Sequence, residues 1–125
     1  MTPASQTGMI FHIARLSDWN KALEDGSYAC ESLEHEGFIH FSTGKQLLAT
    51  ANHLYRGQKG LILLVVDPEA LAADLQFEPV GVDQVFPHLY GALNLDAVRR
   101  VMSFIPADDG SFSWPEALQG HASEP

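Results

Sequence analysis

Three histidines of this 125-residue chain, His12, His40 and His88, each sit inside a short apolar segment: MIFHIA, GFIHFS and FPHLYG. Strand alternation sends each to the face opposite the better apolar residues, and it places Ser42 beside His40 and Tyr90 beside His88. A half-buried imidazole must find hydrogen-bond partners. One such histidine reads as a satisfied structural residue; three on strands of one small sheet point to a shared cleft. His12, His40, Ser42, His88 and Tyr90 are therefore expected to converge on one pocket. Ser42 and Thr43 end a strand where a helix begins, so free N–H groups and the helix dipole there suit an anion such as a phosphate. Thr43 also reads as a helix cap, with Gln46 three residues on completing a capping box. Glu78 precedes Pro79, where a strand is expected to end at a cleft rim. Its plain alternative is an exposed acid among sixteen Asp and Glu. His35, His53 and His121 read as surface residues.

Three imidazoles with an open position would suit zinc. No acid or cysteine stands beside them, however, and Cys pairs and an HExxH helix are both missing from the sequence, so no metal site is assigned. The net charge of −9, with seven scattered Lys and Arg, argues against nucleic acid, which needs clustered cations. No apolar run approaches the roughly 20 residues that span a bilayer. The N-terminal MTPASQTG lacks a basic stretch followed by an apolar one, and Cys30 is the only cysteine. Both fit a cytoplasmic protein without disulfides.

These residues need elements to hold them. MIFHIA reads as a first strand, followed by a helix capped by Ser17 and stopped by Gly26. Tyr28 to Glu36 reads as a polar loop. Gly37 to Ser42 is a second strand, and the helix after Thr43 carries Leu47, Leu48, Ala51 and Leu54 on one stripe and ends near Gly57. LILLVV is a central strand buried on both faces. Asp67-Pro68-Glu69 opens a short helix. Leu75 to Glu78 is extended with Phe77 facing the core, Pro79 to Gln84 is a loop, and Phe86 to Leu93 and Ala97 to Ile105 complete the strands. The sum is an α+β fold with a mixed, mostly antiparallel sheet and two to three short helices. Residues 1–106 form one domain and 107–125 a tail pinned by Phe112 and Trp114.

IFHIA, EGFIHFST, LILLVVD, LQFE and FPHLYGALNLDAV, in this order and spacing, resemble a bacterial family known only as domain of unknown function 952, over about Ile10 to Val101. The resemblance implies an ADP-ribosyltransferase-like fold, a split and curved pair of small sheets holding NAD between them. It extends to the catalytic lobe of RNA 2′-phosphotransferases, whose first-strand His and His-Val-His-Leu-Ser-type second strand match His12 and His40/Ser42. On that resemblance His12 borders the ribose and adenosine side of NAD, and His40 with Ser42 the nicotinamide and phosphate side. The chain departs from the pattern in three ways. FHIA and GFIHFST carry no arginine for a substrate phosphate, there is no basic RNA-binding lobe, and FPHLYG has no glutamate for the ribose 2′-hydroxyl. Glu78 is the nearest acid.

The expectation is an NAD-dependent ADP-ribosyl or phosphoryl transferase, or an NAD glycohydrolase, of unknown acceptor. His40, Glu78 and His88 are its catalytic residues; His12, Ser42, Thr43 and Tyr90 bind the cofactor. Glu78 would stabilise an oxocarbenium-like ribose, Tyr90 would stack on nicotinamide and His40 would orient the ribose. The alternative is a non-catalytic module binding a small nucleotide in the same cleft.

Overall fold

The computed structural model describes residues 8–118. The first strand, β1 (Ile10–Arg15), runs into α1 (Leu16–Asp25), which Gly26 stops in the left-handed conformation (φ 88°). The helix starts one residue before Ser17, with Arg15 as an uncapped N-cap. Tyr28 to Glu36, expected as a loop, is ordered instead: β2 (Ser27–Tyr28) is followed by α2 (Glu31–Glu36). Glu31 and Glu34 complement the positive end of α2.

The expected single strand from Gly37 to Ser42 is divided. Ile39 and His40 form β3, Ser42 and Thr43 form β4, and Phe41 stands between them. Next come α3 (Gly44–Leu54), β5 (Leu61–Val66), β6 (Asp74–Val80), β7 (Gln84–Tyr90), β8 (Leu93–Asn94) and β9 (Val98–Ser103). Single 3-10 turns lie at Pro68–Ala70, Leu95–Ala97 and Glu116–Leu118. Asp67 accepts from the Glu69 N–H to open the first of these, so the helix expected there is one short turn.

The strands make three sheets, ordered β4-β1-β5-β9, β2-β8 and β3-β7-β6. Every pairing among the described residues is antiparallel, so the sheets are not mixed. β5 is the buried centre that LILLVV requires, all six of its residues being inaccessible. On one face of the large sheet Ile10, Ala14, Ile62, Leu64 and Val66 pack with Trp19, Ile39, Phe41 and Leu89. On the other, Phe11, Ile13, Leu63 and Val65 pack with Leu47 and Ala51 of α3. Phe112 and Leu118, from the segment expected as a tail, are buried in that second cluster, and Phe112 stacks on Phe104.

Two expectations about β6 fail together. Pro79 does not end the strand, which continues to Val80; β6 is an outer strand, where a missing N–H is tolerated. Phe77 does not face the core and is 54% exposed on that outer strand. No helix among the described residues is long and apolar enough to cross a membrane.

Candidate functional site

The divided strand makes the cleft. β4 pairs with β1 at Ile10 and Phe11 only, whereas β3 turns away to pair with β7. From His12 to Arg15 the edge of β1 opposite β5 therefore has no strand partner among the described residues. Alternate N–H and C=O groups of an open edge face outward. A cleft of about 900 Å³ follows this edge, bounded by α3, the segment from Tyr28 to Ser32, and the β6–β7 hairpin.

His12, His40, Ser42 and His88 all line the cleft; Thr43, Glu78 and Tyr90 do not. His12 lies on the face of β1 shared by Ile10 and Ala14, but that face is covered, and the residue is only 7% exposed. Its Nδ1 lies 2.6 Å from the His40 carbonyl oxygen, and its Nε2 lies 2.8 Å from the Tyr28 hydroxyl. A carbonyl can only accept, so Nδ1 carries the proton and Nε2 accepts from Tyr28. Burial pushes the His12 imidazole from 6.5 down to about 4, against smaller opposing effects of the His40 carbonyl and Asp18. Burial likewise pushes the Tyr28 hydroxyl up. His12 is thus a neutral staple tying β1 to β2 and β3, with both nitrogens engaged. It lines the cleft, as expected, with no ring nitrogen left unpaired.

His40 is different. It is exposed at the rim, with Nε2 2.5 Å from Glu36 Oε1. Its ring stands edge-on to that of His88, with centroids 5.3 Å apart. His40→Ala is expected to cost about 1 kcal/mol or less, as at other surface positions, and a denaturant titration checks it.

His88 is 5% exposed and stacks on Phe38 at 4.1 Å. Its Nδ1 lies 2.7 Å from Glu78 Oε1, which also accepts the Tyr90 hydroxyl at 2.6 Å. Those hydrogen bonds, from Tyr90 first and then His88, hold the Glu78 carboxyl below its ordinary value. Glu78 and Tyr90 therefore stand behind His88 rather than in the cleft, and Tyr90 leans on Phe38. The Thr43 N–H is taken by Gln46 Oε1 at 3.0 Å, one half of the capping box expected there. Ser42 is buried, its hydroxyl 3.4 Å from that of Thr50.

Sequence reasoning missed Tyr28, Glu36 and Lys45, and gave Gln46 only a capping role. A signal existed for three of them. Glu36 stands four residues before His40, and Lys45 and Gln46 follow the Ser42-Thr43 pair in the first turn of α3. Gln46 also donates to the Val85 carbonyl at 2.7 Å, latching the β6–β7 hairpin to α3 across the cleft. No group of three His, Cys, Asp or Glu among the described residues is placed to hold a metal ion.

Residues 13–101 match the model of a family described as protein of unknown function (DUF952). The X-ray structure of protein CC0527 from Caulobacter crescentus is similar to this chain at 34% identity and a TM-score of 0.78, covering 84% of this chain and 93% of that one. The solution NMR structure of the same protein gives 33% identity and a TM-score of 0.77, covering 90% of this chain and 97% of that one. No curated protein matches the chain.

Proposed function

We propose, on the premise that this chain belongs to the DUF952 family of proteins of unknown function, that its cleft binds NAD and cleaves the ribosyl–nicotinamide bond, transferring ADP-ribose to an acceptor or to water. The observation that carries this reading is the open edge of β1 at the division of β3 from β4. It offers backbone donors and acceptors along a cleft of about 900 Å³, at the upper end of the size range for small-molecule sites. The parting of two of its three sheets at Phe41 also fits the split pair that the resemblance to ADP-ribosyltransferases implies.

Within that reading the groups divide by position. Lys45, on the first turn of α3, is the cation beside Ser42 and Gln46 and suits a phosphate. Arg15 lies at the other end of β1, where Asp18 and Glu31 also line the cleft and offset its charge. His40, backed by Glu36, is the exposed imidazole that can meet the ribose. Glu78 acts through His88 as a positioning residue, not as a carboxylate on the sugar.

One observation favours a non-catalytic nucleotide-binding module instead: His12 is saturated by the protein and no carboxylate of β6 or β7 lines the cleft. Calorimetric titration with NAD, paired with an assay for released nicotinamide, separates the two. Binding with release supports the transferase or glycohydrolase, binding without release supports the module, and no binding sinks both. If release occurs, Glu78→Gln is expected to slow it by at least about tenfold, with NAD affinity within a few fold. Unchanged release would remove Glu78 from the mechanism.

A further inference from the structure

Among the described residues one buried side-chain nitrogen or oxygen has no hydrogen-bond partner in the protein, and it is His88 Nε2. Buried polar atoms are almost always paired, and an orphan destabilises the fold that keeps it. The ring is not free to turn and relieve it. Nδ1 is tied to Glu78 Oε1 at 2.7 Å, and the Tyr90 hydroxyl holds that same oxygen at 2.6 Å. Phe38 lies flat on the imidazole, with the planes 18° apart. Glu78, itself held by Tyr90, thus fixes one edge of His88 and Phe38 covers a face, while the residue lines the cleft.

The identity of the missing partner follows from the side already filled. An ionised carboxylate only accepts, so the His88 proton is on Nδ1. In the neutral ring, Nε2 is then a bare lone pair and needs a donor. A phosphate or carboxylate has none to offer, whereas a sugar hydroxyl or a carboxamide N–H does.

We propose that His88 Nε2 is a hydrogen-bond-accepting subsite for an uncharged donor on the ligand of this cleft, a ribose hydroxyl or a carboxamide N–H. The subsite rests on the NAD reading only for the choice of probes. Nε2 itself has almost no exposed surface, so the ligand's donor reaches it as the exposed ring of His40, edge-on to His88, gives way. Phe38 stacks on the imidazole, Glu78 accepts from its Nδ1 and Tyr90 holds Glu78, so all three serve to position it.

The test uses three probes: ADP-ribose, with hydroxyls and no carboxamide; nicotinamide, with the carboxamide alone; and nicotinate, the same ring with a carboxylate in its place. Each is titrated into the wild-type protein and into His88→Phe, which keeps a ring against Phe38. In parallel, the imidazole nitrogen resonances of the wild-type protein are followed by NMR, which needs no variant to fold. The expected result is that ADP-ribose, nicotinamide or both move the His88 Nε2 resonance, and that His88→Phe weakens the same probe by about tenfold or more. Nicotinate leaves the resonance in place. Movement with ADP-ribose alone identifies a hydroxyl as the donor; movement with nicotinamide alone identifies the carboxamide. Failure of NAD and ADP-ribose to bind, with nicotinamide still moving Nε2, would overturn the dinucleotide reading and leave the subsite standing. Binding of ADP-ribose or nicotinamide with Nε2 unmoved and His88→Phe affinity unchanged would overturn the subsite and leave the dinucleotide reading standing. No probe moving Nε2 also overturns the subsite.

Discussion

Acidifying the protein from about pH 6.5 to pH 4 is expected to remove roughly 3 kcal/mol of its stability through His12 alone. The imidazole is held neutral in the fold, with its titration lowered from 6.5 to about 4 by burial. In the unfolded chain it returns to the ordinary value. Between these two values the unfolded state binds the proton and the folded state does not, so stability falls as pH falls. Above 6.5 the full contribution is present, and below 4 the loss is complete. Some 2.5 units at 1.36 kcal/mol each set the magnitude.

The carboxyls act at the acid end of the same range. Glu78 and Asp109 titrate below their ordinary values of 4.5 and 3.8, so whatever they contribute is lost as pH falls through those ordinary values and beyond. Urea denaturation from pH 7.5 to pH 4 measures the slope. His12→Ala is the control. It should start less stable at pH 7, since it strands the Tyr28 hydroxyl and the His40 carbonyl, and it should lack the His12 part of the acid loss. If His12→Ala lost stability with acid as steeply as the wild type, the buried imidazole would not be the sensor.

How far the sequence could announce this depends on whether a signal is local. LILLVV, Gly26, the Asp67-Pro68 turn and the pairing of Thr43 with Gln46 are local and legible, because a few adjacent residues decide them. The α+β class and the antiparallel preference follow from them. The division at Phe41 is not local. Ile39 and His40 pair with β7, Ser42 and Thr43 with β1, and nothing in GFIHFST marks the change of partner. The open edge of the cleft depends on that division and was not visible in the sequence, although four of the five residues expected to share a pocket line it.

Alternation placed His12 correctly opposite Phe11 and Ile13, but it could not show that the second face is also covered. A cleft role and a core role look alike at that level. Tyr28 was hidden because β2 has two residues, too few for a period, and its partner β8 lies 65 residues away. Glu78 was expected at the cleft rim and stands behind His88 instead. Its carboxylate meets His88 and Tyr90 diagonally across the β6–β7 ladder, a contact set by register and not by alternation.

Leu64→Ala is expected to cost roughly 2–5 kcal/mol, the largest loss from any single truncation considered for this protein. Leu64 sits opposite His12 in β1 and Val101 in β9, so it is flanked by backbone on both sides of the central strand. Its side chain is fully buried in the cluster that includes Ile10, Ile39, Phe41 and Leu89. The loss combines the transfer of the removed methyl groups with a cavity that the surroundings cannot fill. They cannot fill it because the cluster is shared between two sheets. Ile39 and Leu89 belong to the β3-β7-β6 sheet, so filling the cavity would require that sheet to shift against the other. Collapse around residue 64 is therefore opposed by the same geometry that opens the cleft. A denaturation midpoint with an unchanged denaturant slope measures the effect on stability alone. A cost below about 1 kcal/mol would mean that the two sheets can close on each other, and the rigid separation assigned to the cleft would fall with it.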